Sequence, residues 1–252
     1  MAGRAECARW AMVAGLALAV LLMLPRLALA QSISLDLGAE AGEGTLGLRV
    51  IQLFAIVTLL SLAPGILVMI TCFPFILTVL SILRQAIGLQ QAPPNMLIVS
   101  LALILTWFVM EPVILEAWAL GGEPLAQGRA EIGPALSAAS EPFRGFMFAR
   151  HDPDTLAALA DLRGDTVSSD RPPLSLLVPA FLLSEIQRAF EIGFLIFLPF
   201  LIIDLVVAAV LMAMGMMMVP PALVALPFKL AFFVVVDGWM MIAAALVRGY
   251  QI

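Results

Sequence analysis

The sequence predicts an all-α integral membrane protein whose long helices are broken at Pro and Gly and folded into hairpins. Two observations lead there. Of 252 residues, 63% are apolar and only 12% are charged, against about 25% charged in an ordinary soluble domain. The apolar residues also fall in a few long uncharged runs instead of being spread as amphipathic stripes. Thirteen basic and eighteen acidic residues leave a net charge of −5, so no basic surface advertises a nucleic-acid partner.

The chain opens as a secretory signal. Arg4 and Arg9 form a basic start, Trp10 to Pro25 is uncharged, and Ala28-Leu29-Ala30 reads as a small-x-small cleavage site. Sixteen uncharged residues are short for a span, which needs about 20. Residues 1–30 are therefore expected to be removed, leaving a mature chain from Gln31 with ten bases and seventeen acids. Residues 31–49 are a polar, Gly-rich, acidic N-terminal segment. Cys7 leaves with the signal and Cys72 lies alone in an apolar run, so neither a disulfide nor a Cys-x-x-Cys metal site is expected.

Residues 50–115 form a first apolar helical pair. Val50 to Leu83 carries no charge; as one helix it would be about 50 Å long against a hydrocarbon core of about 30 Å. It must be broken, overlong or tilted, and Pro64-Gly65 and Pro74 are the kink sites. Arg84 to Asn95, with Gly88 and Pro93-Pro94, reads as a turn. Met96 to Leu115 is the second member, interrupted by Glu111-Pro112 near its end.

Residues 116–173 change character, with nine acids, five arginines and the sole histidine, His151. They form an acidic polar loop with short helices expected at 135–149 and 155–162. A cleaved signal places the mature N-terminus, this loop and the C-terminus outside the membrane; loops this long translocate largely regardless of charge. Residues 174–252 are apolar again and are divided at Val219-Pro220-Pro221, a C-terminal helical hairpin with its tip near Met218 to Pro221.

No phosphate-binding Gly-rich loop and no H-E-x-x-H metal motif is visible, and His151 has no nearby nucleophile, so neither cofactor nor metal nor enzymatic activity is expected. The informative residues are ionisable groups in apolar surroundings: Glu185, Arg188, Glu191, Asp204, Lys229 and Asp237. A charge in hydrocarbon costs at least about 2.5–3.5 kcal/mol, so these must meet partners or water. Glu185, Arg188 and Glu191 recur at i, i+3, i+6 and can pair as neighbours. With a tip at 218–220, Asp204 and Lys229 differ in height by about five residues, roughly 7 Å, which unwinding at Pro220, Pro221 and Pro227 or pairing between subunits could absorb. Met212, Met214, Met216, Met217 and Met218 crowd the tip. Three consecutive methionines point around the whole helix circumference, more than one core face can use. A tip projecting Met216, Met217 and Met218 inward from several subunits would use all of them, and methionine repacks against many shapes.

These residues carry a family likeness. The stretches P-F-L-I-I-D-L-V (199–206), L-M-A-M-G-M-M-M-V-P-P (211–221), L-P-F-K-L (226–230) and V-D-G-W (236–239) closely resemble the FliP family, the flagellar type III export-gate subunits whose injectisome counterpart is SctR. L-R-Q-A-I-G-L-Q-Q-A-P-P-N (83–95), F-V-M-E-P-V (108–113) and L-S-E-I-Q-R-A-F-E-I-G-F (183–194) match as well, with Phe75 standing where the family often has Arg. The resemblance implies a helical ring of five such subunits with FliQ and FliR, in the bacterial inner membrane at the flagellar basal body. Other export-apparatus membrane proteins and membrane lipid surround it, and unfolded flagellar subunits pass through its centre. It further implies a methionine ring as pore seal, a periplasmic-facing loop, and a cone-like complex sitting largely above the bilayer plane. The alternative reading is a secondary transporter or ion channel using Asp204 and Lys229; the missing internal repeat weighs against it.

Overall fold

A computed structural model describes residues 51, 53–54, 57–58, 61–62, 65–88, 93–164, 171–216 and 218–250. The expected signal peptide (1–30), the polar segment 31–49, Pro64 and Met217 lie outside the described residues. Those from Thr58 onward belong to one compact unit. From Phe73 onward, its described residues contain eight α-helices and one π-helical turn.

The uncharged run 50–83 breaks at Ile70–Cys72, and helix α1 spans Phe73–Ile87. Pro74 occupies its first turn, where a missing N–H is no loss. Phe75, Ile76, Val79, Leu80, Leu83, Ala86 and Ile87 form one buried stripe at helical spacing. The stripe makes α1 the centre of the unit, packed mainly against α6 and also against α2. Helix α2 (Asn95–Ala117) runs straight through Glu111-Pro112. It continues by the π-turn Trp118–Gly122 into the short α3 (Glu123–Ala126). The apolar segment and the start of the polar one are thus a single rod, Asn95–Ala126.

In the polar region, α4 spans Ile132–Arg150 and α5 spans Pro153–Arg163, where the composition suggested shorter helices. Asp152 caps α5, accepting the Thr155 N–H at 2.9 Å. Both helices pack on the first turns of α6: α4 through Met147 against Leu177 and Phe181, α5 through Leu156 and Ala160 against Leu176 and Ala180.

Helix α6 runs uninterrupted from Leu174 to Ala213, through Pro179 and Pro199. Forty residues give about 60 Å, twice a hydrocarbon core. Midway it crosses α1 closely: a Cβ on Gly193 would run into the Ile82 side chain. It ends in a Schellman motif: Gly215, at φ +75°, donates to Met212 and Met216 donates to Leu211. After the break, α7 (Pro221–Val235) starts with Pro in its first turn.

The returning arm is itself broken. It bends by 61° between α7 and α8 (Gly238–Arg248), because Asp237 takes a left-handed conformation, φ 50° and ψ 49°, and stops α7. The sequence carried the cue: Asp-Gly is a turn pair. By length and composition, two described helices can cross a membrane, or three if α7 and α8 count as one broken span.

Candidate functional site: two charge clusters and a methionine tip

Asp204 lies nine residues before the end of α6, and Lys229 eight after the start of α7. Measured from the helix ends instead of from a tip at 218–220, the two arms are nearly equal. The apparent 7 Å mismatch disappears because α6 already ends at Ala213 and α7 begins only at Pro221. Lys229 Nζ sits 2.6 Å from Asp204 Oδ2 and donates to the Ala86 carbonyl at 3.0 Å. That carbonyl is in the last turn of α1, where the helix dipole favours a cation. The Lys229 side chain is 8% exposed and that of Asp204 34%, while Asp204 Oδ1 is buried without a partner. The ammonium therefore ties α1, α6 and α7 together at one point.

The second cluster is larger. Glu185 is fully buried and meets Arg150 Nε at 3.2 Å, Arg188 Nη1 at 3.3 Å and the Tyr250 hydroxyl. Arg150 also donates to the Gly249 carbonyl at 2.9 Å and lies over the Tyr250 ring at 4.3 Å. Arg188 donates to the Arg150 carbonyl at 2.5 Å. Phe75 packs edge-on against Tyr250, and Phe146 stacks on it. Burial and the neighbouring Glu185 carboxylate push the Tyr250 hydroxyl's pKa upward, so the phenol stays a donor. One carboxylate thus joins α4, α6 and the segment after α8.

Glu185 and Arg188 are in contact, but Glu191 takes no part; it accepts from Gln187 at 3.2 Å on the exposed side. Six residues rotate 600° around a helix, 240° past the starting face, so the i, i+6 alignment fails. Asp237 makes no ion pair among the described residues, and its side chain does not cap α8. Sequence reasoning missed Arg150 and Tyr250. The chain's one tyrosine, set after an apolar run, was the available hint.

Glu185 and Asp204 are nineteen residues apart on continuous helix, about 28 Å at helical rise. The two clusters thus sit one hydrocarbon thickness apart along α6. Beyond the Asp204–Lys229 pair, the hairpin carries exposed Leu205, Val206, Val210 and Leu223. Met212, Met214 and Met216 are 61%, 65% and 38% exposed, and Met218 is 97% exposed at the tip. An apolar groove of 360 Å³ opens between α6 and the bent arm, lined by Ile196, Phe200, Phe233 and Ile242 among others. The described residues hold no group of three His, Cys, Asp or Glu able to grip a metal.

The sequence pattern of the FliP family matches residues 56–246, which include Asp204, Lys229, Arg150, Glu185, Arg188 and the tip, but not Tyr250. The chain is 48% identical to the flagellar biosynthetic protein FliP of Caulobacter vibrioides over 246 residues, 96% of this chain and 91% of that protein. It is 46% identical to that of Agrobacterium fabrum over 238 residues, 93% and 97% of the two chains. For the FliP of Bacillus subtilis the identity is 42% over 206 residues, 79% and 91%. With three-quarters of its length matched and identities above 40% along nearly whole relatives, the chain belongs to the FliP family.

Proposed function

We propose that this chain is a subunit of the flagellar type III protein export gate in the bacterial inner membrane. Copies of it, five by family resemblance, join FliQ and FliR around a pore for unfolded flagellar subunits. Membership of the FliP family supports the export role. The observation carrying the finer reading is the tip: past the end of α6 at Ala213, Met214, Met216 and Met218 are all exposed, Met218 almost completely. Side chains left bare on a projecting hairpin gain burial only from other chains, and methionine's three rotatable bonds let one ring close on itself or around varied cargo. Met216, Met217 and Met218 form that seal. In the same reading, residues 1–30 are cleaved and the 116–173 region faces the periplasm.

The transporter alternative finds less support, because Lys229 is 6% exposed and already holds two oxygens. Conductance of membranes containing assembled gates tests the seal. Changing all three methionines to Ala leaves a void that wets and leaks small ions while the complex stays whole. Equal, negligible leakage in wild type and variant, with assembly verified, refutes it.

A further inference from the structure

The Arg144–Arg171 cavity is a strongly charged recess that neither charge cluster nor the tip accounts for. It lies between α4 and the start of α6, encloses 290 Å³, and is lined by Glu141, Arg144, Gly145, Phe148 and Arg171 among others. Arg171 reaches Glu141 Oε1 at 2.9 Å, and Arg144 donates to the Pro172 carbonyl at 2.9 Å. Arg144 Nε is 3.6 Å from Glu141 Oε2, too long for a hydrogen bond, and is buried without an acceptor. Two guanidiniums share one carboxylate, which leaves one positive charge and a stranded donor in a chain of net charge −5. A Cβ on Gly145 would meet nothing within 4 Å, so the floor is open to an incoming group.

The complement lies on the same chain. Asp154 and Asp161 are exposed on α5 and make no ion pair among the described residues. Seven residues apart, they share one helix face, with exposed Ala157 and Ala158 between them allowing close approach. Helix α4 packs on Leu177 and Phe181 of α6, whereas α5 packs on Leu176 and Ala180. One residue is a 100° turn around α6, so cavity and acidic face look in different directions. A contact between different patches of identical chains is head-to-tail, and it builds a ring when its rotation closes.

We propose that the Arg144–Arg171 cavity receives a carboxylate from the α5 face, Asp154 or Asp161, of a second copy of this chain. The inference rests on the ring reading above. Its chemistry is a charge-assisted, forked guanidinium–carboxylate contact, so assembly should weaken with salt.

The test uses the full chain co-expressed with FliQ and FliR, in a Cys7→Ser background. Cys72 can stay, since it is fully buried and out of reach of an oxidant. Gly145→Cys together with Ala158→Cys should give a ladder of disulfide-linked copies on mild oxidation, and neither single variant should. Arg144→Gln with Arg171→Gln should lower the ring fraction about tenfold in native mass spectrometry, and Asp154→Asn with Asp161→Asn equally, with helix content unchanged. If wild type forms rings, yet the cysteine pair gives no ladder and both neutralised variants assemble normally, this contact is wrong and the ring stands. If wild type forms no ring, the ring reading fails first.

Discussion

Removing either partner of the Asp204–Lys229 pair should cost stability unequally, and the asymmetry follows from exposure. In Asp204→Leu the ammonium of Lys229, a residue only 6% exposed, keeps only the Ala86 carbonyl. An uncompensated buried charge of that kind costs about 3–5 kcal/mol. In Lys229→Met the carboxylate, one-third exposed, rehydrates, so the loss is nearer that of a charged hydrogen bond, about 1.5–3 kcal/mol. The double variant removes both charges and leaves only the Ala86 carbonyl unserved, about 1 kcal/mol. The double-variant cycle should then show coupling of at least about 3.5 kcal/mol, above the usual range of about 0.5–3 kcal/mol for touching residues. Exchanging the two residues should rescue poorly, because an Asp at 229 would face a carbonyl at the negative end of α1. Unfolding in mixed detergent–SDS micelles reads all of these. Coupling below about 0.5 kcal/mol, or Lys229→Met costing more than Asp204→Leu, would refute the reasoning.

Tyr250→Phe should destabilise by about 1–3 kcal/mol, because a buried Glu185 oxygen loses its hydroxyl donor; the same micelle titration measures it. Gly193→Val should cost about 1–3 kcal/mol by forcing Ile82 off α6, and adding Ile82→Ala should recover part of it. The Thr155 hydroxyl and amide hold the Asp152 carboxyl below the usual carboxylate range. A lowered folded-state pKa stabilises above the ordinary value and is lost as pH falls through the lowered one. Amide protection of the first turn of α5, corrected for intrinsic exchange, should therefore drop with acid in wild type, and be low and pH-independent in Asp152→Ala.

How legible the chain was depends on how far apart the cooperating residues lie. Uncharged runs disclosed the long helices, because only burial or lipid tolerates them. Local punctuation was readable too: Gly215 and Pro220-Pro221 mark the end of α6 and the start of α7, although placing the tip a few residues late created the false mismatch between Asp204 and Lys229. Asp237-Gly238 carried a turn cue that was overshadowed by its charge. Pro112, Pro142, Pro179, Pro199 and Pro227 all sit inside helices, where neighbouring helices stabilise what local propensity disfavours. Glu185 was visible as a charge needing company, but two of its partners stand 35 residues before it and 65 after. No period or spacing reaches that far.

That separation sets an order of events during synthesis. When α6 leaves the ribosome, Arg150 has already been made and Arg188 follows three residues after Glu185, so the acid can enter an apolar environment neutralised. Tyr250 arrives 65 residues later, roughly 3–13 s at ordinary elongation rates. Until then α8 has no clasp and the bent arm is free to find its place beside α6. The tyrosine reports that every helix before it has been made, and the site it closes holds the newborn chain in its finished form.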